Sequence, residues 1–248
     1  MNNIVFLYND NFINLLNLID YLQSNEIKPY NIKDTSYQPN LLEECIYPNI
    51  TYNKNIGKLF IKKYNLKIFN ILINVYLSNN ENKELIIFYF CKNLKKYKQN
   101  IIYHQNLKCV NLALKISKYV GSENHKFKGI TRFKKLENNV YYATINPTNN
   151  ILYLLSTHFT NRLKNEYWII KDVNRNLFSI YDKKKFYIIS DDNFKINNKI
   201  SKDESDIESL WKTFYNTIGI KERKNDRCRM NFMPKKYWQY ITEMSDEL

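Results

Sequence analysis

Tyr167-Trp168-Ile169-Ile170-Lys171-Asp172-Val173-Asn174-Arg175-Asn176-Leu177-Phe178-Ser179-Ile180-Tyr181 is the stretch on which the fold turns. Two apolar runs, Tyr167 to Lys171 and Leu177 to Tyr181, flank Val-Asn-Arg-Asn and read as the strands of a hairpin. Upstream, Ile130 to Phe133 and Val140 to Ile145 flank Glu-Asn-Asn and read as another hairpin. Between the two lie Pro147 and a helical pattern from Asn150 to Leu163, and Phe186 to Ile189 adds a further strand. Hairpin, helix, hairpin predicts one antiparallel sheet with a helix packed across it.

Working outward, Ile4 to Tyr8 reads as a short strand, and Asp10 is placed to cap a helix whose apolar positions Phe12, Leu15, Leu16, Ile19 and Leu22 keep helical spacing. Thr35 to Thr51 is turn-rich, with Pro39 and Pro48. Helical patterns resume over Asn55 to Tyr64, Lys67 to Leu77, Glu81 to Tyr97 and Leu107 to Tyr119. Beyond the sheet, Ile207, Leu210, Trp211, Phe214, Tyr215 and Ile218 form an amphipathic stripe that Gly219 ends, and Pro234 opens a last helix carrying Tyr237, Trp238 and Ile241. The expected class is α+β: an N-terminal strand with a helical bundle segment, then an antiparallel sheet of two hairpins flanking a helix, then C-terminal helices. The expected division is a mainly helical region over 1–105 and an α+β core domain over 106–248.

With 248 residues, 44% apolar and 15% aromatic, the chain buries a sizeable core, which excludes wholesale disorder. Four glycines are too few for a dinucleotide fingerprint together with a phosphate-cradling loop, and no Gly-x-x-x-x-Gly-Lys occurs. Apolar stretches such as Leu85 to Cys91 fall far short of the roughly 20 residues that span a bilayer. Met-Asn-Asn-Ile-Val-Phe lacks the basic start of a signal peptide, so a soluble, cytoplasmic protein with no membrane partner is expected. Cys45, Cys91, Cys109 and Cys228 form no Cys-x-x-Cys pair, and His104, His125 and His158 are too scattered for a ligand motif. Neither metal nor cofactor is indicated.

The 38 Lys and Arg against 24 Asp and Glu leave a net charge of +14, a surplus that commonly marks a polyanionic partner. Abundant Asn, Ile, Lys and Tyr beside scarce Gly, Ala and Pro also betray an AT-rich coding bias, in which Lys arises readily. Of the basic residues 32 are Lys, so the six arginines mark places where a planar guanidinium is required. All six, Arg132, Arg162, Arg175, Arg223, Arg227 and Arg229, lie beyond residue 130. Charge is uneven, at −4 over residues 1–50, +11 over 51–120, +7 over 121–190 and zero over 191–248. The last block hides seven basic and two acidic residues between Lys221 and Lys236.

Four constellations carry candidate chemistry. Glu123 stands two residues before His125, a carboxylate placed to tune an imidazole for proton transfer; the alternative is a hydrogen-bonded structural pair. His158 and Arg162 share one face of the middle helix at the edge of the core, where the guanidinium needs an anion, either internal such as Asp172 or a ligand phosphate. Trp168 is either core or a base-stacking platform, and Asp172 orients an arginine such as Arg175 near the hairpin turn. The segment from Lys221 to Trp238 sets Arg223, Lys224, Arg227, Arg229, Lys235 and Lys236 among aromatics, as contacts to phosphates and bases require.

Read together, Glu123-x-His125, Thr131-Arg132-Phe133, Asn146-Pro147, His158-Phe159-x-x-Arg162, Trp168-x-Ile170-x-Asp172-x-x-Arg175, Leu210-Trp211-Lys212, Ile220-x-x-Arg223-x-Asn225 and Phe232-Met-Pro-Lys-Lys-Tyr-Trp238 resemble a bacterial family labelled probable DNA metabolism or putative DNA repair protein, a domain of unknown function. The resemblance covers essentially the whole chain and is strongest from about residue 85 to 243. It implies DNA work without specifying a reaction. It also implies partners, since such domains occur fused to uracil-DNA glycosylase-like domains or accompany a radical-SAM protein. Lys126 and Lys236 stand where relatives are expected to carry Arg, keeping the charge but losing the bidentate fork.

Three functions follow as expectations. The first is a DNA-binding accessory protein of repair or base modification, holding phosphates through Arg132, Arg162, Arg175, Arg223, Lys224, Arg227, Arg229, Lys235 and Lys236, with Trp168 stacking, for a separate catalyst. The second is a DNA-processing enzyme with Glu123, His125 and His158 as acid–base groups. The third is a scaffold that docks a protein partner without touching DNA.

Overall fold

In a computed structural model, residues 3–9, 11–190, 199–218 and 225–247 are described. They fall into two compact units, Met1–Gly121 and Ser122–Leu248. Both combine helices with strands, and the class is α+β.

Unit 1 opens with β1 (Asn3–Tyr8), α1 (Phe12–Ser24), β2 (Asn31–Asp34) and β3 (Glu43–Ile46). The strands form a parallel sheet in the order β2-β1-β3, with Phe6 opposite Ile32 on one side and Ile46 on the other. A sheet here departs from the single strand and turn-rich region expected. The two added strands are four residues long and carry Lys33, Asp34, Glu43 and Glu44, so neither has the apolar alternation that reveals a strand. The cap of α1 is Asn11, whose side chain accepts from Ile13 N at 2.8 Å, while Asp10 lies outside the described residues. Helices α2 (Ile56–Tyr64), α3 (Leu66–Leu77) and α4 (Lys83–Tyr97) follow the expected spans closely. Their apolar faces join β1 and α1 in one core, with Leu15, Leu18, Leu22, Leu72, Val75, Phe90 and Leu94 fully buried. Few glycines leave left-handed turns to other residues: Asn65 caps α3 at φ 88°, and Asn139 and Asn176 sit at 61° and 50° in strand turns.

Helix α5 (Lys108–Ile130) runs eleven residues past the expected end, because Val120, Glu123, Phe127 and Ile130 continue its inward face. In unit 2 the chain continues as β4 (Lys134–Lys135), β5 (Tyr141–Ile145), α6 (Leu152–Arg162), β6 (Trp168–Asp172), β7 (Leu177–Tyr181) and β8 (Phe186–Ser190). The sheet order is β4-β5-β6-β7-β8. It is mixed rather than antiparallel: β5 and β6 run parallel, Ala143 opposite Ile170, with α6 as the crossover. A helix between adjacent strands returns the chain to the end where it started, which forces that orientation. The first expected strand is displaced too, since Ile130 belongs to α5 and Thr131 N donates to Phe127 O at 3.0 Å.

Helix α6 lies against β6, β7 and β8, burying Leu152, Leu155 and Phe159 on the sheet face that carries Ile170 and Ser179. One polar contact crosses this layer, Ser156 Oγ donating to Ser179 Oγ at 2.7 Å. Helices α7 (Lys202–Ile218) and α8 (Asp226–Phe232) and 3-10 turns over Lys235–Tyr240 and Thr242–Glu247 complete the unit. Among the described residues no helix is long and apolar enough to cross a membrane.

Candidate functional site

The loop from Asn146 to Asn150 leaves the end of β5 and turns into α6. On one side Glu123 of α5, 5% exposed, accepts from the amides of Thr148 at 2.8 Å and Asn149 at 2.9 Å. It also accepts from Asn149 Nδ2 at 2.6 Å and Tyr237 OH at 2.9 Å. Burial alone would raise this carboxyl's pKa; the hydrogen bonds from Thr148, Asn149 and Tyr237 outweigh it and hold the pKa below its ordinary value. Glu123 is therefore an ionised anchor whose lone pairs are already used. That corrects its expected part in acid–base chemistry.

Arg175 serves the same loop from its carbonyl side, donating to Pro147 O at 3.2 Å and to Thr148 O. It also pairs with Asp172 Oδ2 at 3.1 Å. Asp172 is fully buried, and burial raises its pKa against the lowering pull of Arg175. Glu123, expected as an acid–base group, and Arg175, expected as a phosphate ligand, thus meet on one loop as structural clamps of opposite charge.

Arg132 and Arg229 are likewise used internally. Arg132 Nε donates to Glu243 Oε2 at 3.2 Å and Nη2 to Oε1, a fork on one carboxylate that Trp211 Nε1 also bonds at 3.1 Å. Its third donor takes Gly129 O at 2.7 Å. Burial would raise Glu243's pKa, but the bonds from Arg132 and Trp211 lower it overall. Arg229 pairs with Asp226 at 3.0 Å and lies 4.6 Å over the Trp238 ring. These three arginines, 132, 175 and 229, which the sequence offered as phosphate ligands, spend planar donors on carboxylates and carbonyls of the chain itself. Trp168 needs the same correction. It is 0% exposed and stacked on Tyr181 at 5.0 Å, leaving no face for a base.

What remains outward is mostly lysine. On α5, His125 is exposed, and Lys126 Nζ reaches Asn231 O of α8 at 3.3 Å. Lys236 Nζ donates to Thr148 Oγ1 at 2.7 Å and lies 4.7 Å over the Tyr237 ring, and Lys235 is 5.6 Å over Trp238. The Glu123–Tyr237 bond therefore anchors the segment that carries Lys235 and Lys236, and Lys126 reaches α8 just before that segment. Among the described residues none of these lysines makes an ion pair, nor do the exposed Arg162 and Arg227. Arg223 and Lys224 lie outside the described residues.

A second basic group surrounds His158. Burial, then Lys128 and Arg162, lowers its pKa, and its buried Nε2 has no hydrogen-bond partner. Glu123, His125 and His158 do not assemble into one acid–base set: Glu123 faces the core, His125 faces outward from the same helix, and His158 sits on α6. Sequence reasoning missed Asn149, Tyr237 and Glu243, the partners that give Glu123 and Arg132 their roles. For Tyr237 the signal was its place in the Pro-Lys-Lys-Tyr-Trp block; nothing local marks Glu243.

No curated protein and no solved structure matches the chain. Residues 81–243, which take in the Glu123 loop clamp, the Arg132–Glu243 fork and the lysine face, match the model of a family described as a domain of unknown function, DUF4130, and the chain belongs to that family.

Proposed function

We propose that this chain is a DNA-binding accessory protein of repair or base modification, which holds backbone phosphates on the lysine face of unit 2 for a separate catalyst. The observation that carries this reading is the contrast among cations: the half-buried Arg132, Arg175 and Arg229 are paired with carboxylates of the chain, whereas among the described residues Lys126, Lys235 and Lys236 have none. Surface lysines neutralise phosphate as point charges and release counterions, and they do not read sequence. The resemblance to DNA repair proteins points the same way, and a glycosylase-like or radical-SAM protein is the class of catalyst it implies.

Binding to duplex and single-stranded oligonucleotides across a salt series tests the reading. About four neutralised phosphates give a slope of log K against log salt near −3.6 on duplex, and Lys235→Ala with Lys236→Ala flattens it by about 1.8. Undetectable binding, or a slope indifferent to these lysines, overturns it.

Direct processing of DNA is a second reading, favoured by one observation, the unpartnered Nε2 of His158, whose pKa burial, Lys128 and Arg162 lower. A neutral imidazole beside two cations suits a base acting next to a phosphate. Incubation with abasic and base-damaged oligonucleotides tests it: product from the wild type and none from His158→Ala supports it, and unaltered oligonucleotides exclude it.

A further inference from the structure

The sheet of unit 1 has a topological switch. From the central strand β1 the chain passes through α1 to β2 on one side, and β3 then joins β1 from the other. All three strands are parallel, so their carboxyl ends share one edge, and the connections after β1 and β3, neighbouring strands, both start there; in open sheets such an edge at a reversal of strand order is where ligands bind. A cleft of about 590 Å³ occupies this place, lined by Tyr8 at the end of β1 and Asn9 after it, Tyr47 and Asn49 after β3, and Asn14 and Asn17 of α1. A cleft in the range of roughly 300–1,000 Å³ is the size that takes a small organic ligand.

Its floor is fixed and its rim is open. Tyr8 and Asn17 are buried; Tyr8 OH donates to Glu84 at 3.3 Å, and Asn17 bonds Ile13 O and both backbone groups of Asn53. At the rim, Tyr47 is 57% exposed and Tyr52 49%, and Asn9 and Asn49 are exposed. Asn14 Nδ2 is tied to Asn9 O at 3.3 Å, leaving its side-chain oxygen as an acceptor. Among the described residues the lining holds no charged side chain and no glycine loop. The chemistry is that of carboxamides, which both donate and accept, beside tyrosine faces. That combination fits a flat, neutral ring with a mixed donor–acceptor edge rather than a phosphate.

We propose that this cleft binds a nucleobase, stacked on Tyr47 or Tyr52 and hydrogen-bonded at its edge by Asn9, Asn14 and Asn49. The base arrives either as a free nucleoside or within a single strand. The site lies outside the matched residues 81–243 and belongs to unit 1, whereas the lysine face belongs to unit 2.

Equilibrium dialysis of the full chain against adenosine, guanosine, cytidine and thymidine, with inorganic phosphate and ribose 5-phosphate as controls, tests it, beside a short single-stranded oligonucleotide. Expected is binding of at least one nucleoside, weakened about 5- to 100-fold by Tyr47→Ala or Asn49→Ala and untouched by phosphate. Both variants lie in an exposed segment, and circular dichroism checks that they fold. Binding of the oligonucleotide alone, with the same dependence on Tyr47 and Asn49, assigns the base to a strand and supports the site. Failure to bind either ligand, competition by phosphate, or indifference to both variants overturns it. Lys235→Ala with Lys236→Ala leaves nucleoside binding unchanged, and Tyr47→Ala leaves the duplex salt slope unchanged, so the two proposals fail separately.

Discussion

Glu123 and Arg175 hold opposite polarities of one loop: the carboxylate takes the amides of Thr148 and Asn149, and the guanidinium takes the carbonyls of Pro147 and Thr148. The turn from β5 into α6 therefore has its backbone dipoles matched by buried charge, and it carries Thr148 to Lys236. Fold and basic surface are coupled through it.

Removing Glu123 strands several buried donors at once. Glu123→Ala is expected to destabilise the protein by about 3 kcal/mol, against about 1 kcal/mol for Tyr237→Phe, which deletes one bond. Urea unfolding of each variant measures this; a Glu123→Ala cost under about 0.5 kcal/mol would remove the clamp from the account.

The pH dependence has a definite sign. Glu123 and Glu243 titrate in the folded protein below their ordinary value of 4.5, so the stability they supply is complete above that value and is lost as pH falls through the lower folded pKa. Asp172, with its pKa raised, works the opposite way. Below pH 4.5 the wild type should therefore lose stability more steeply than Glu123→Gln, in chemical unfolding followed as a function of pH. Parallel profiles would sink this assignment.

His158 reports on anions. Burial, Lys128 and Arg162 depress its pKa, so Arg162→Ala should raise it, and bound oligonucleotide should raise it further if phosphate sits beside these cations. Proton NMR titration of the imidazole gives both values; a pKa unmoved by DNA places the phosphates elsewhere.

Arginine and lysine should separate cleanly in function. Arg132→Ala breaks the fork on Glu243 and leaves that buried carboxylate without its paired cation, costing about 2 kcal/mol while leaving the DNA salt slope intact. Lys235→Ala should lower the slope by about 0.9 with little change in stability. Were Arg132→Ala to weaken DNA binding in a variant that remains folded, its guanidinium would be a ligand after all.

Helix α3 and strand β7 were legible nearly to the residue, because an apolar stripe at helical spacing and an alternating run between turn residues are local signals. The sheet around β1 was not, since its two outer strands are short and charged and are strands only through pairing with β1. The direction of β5 against β6 was equally hidden, both orientations presenting the same alternation.

The sequence by itself determined the α+β class, most helix spans, and the fact that Arg132, Arg175 and Glu123 matter, through rarity and spacing. Only the tertiary structure decided what they matter for. A guanidinium's role depends on which anion stands within hydrogen-bond reach, and Glu243 lies more than a hundred residues from Arg132 along the chain, so only folding brings the pair together.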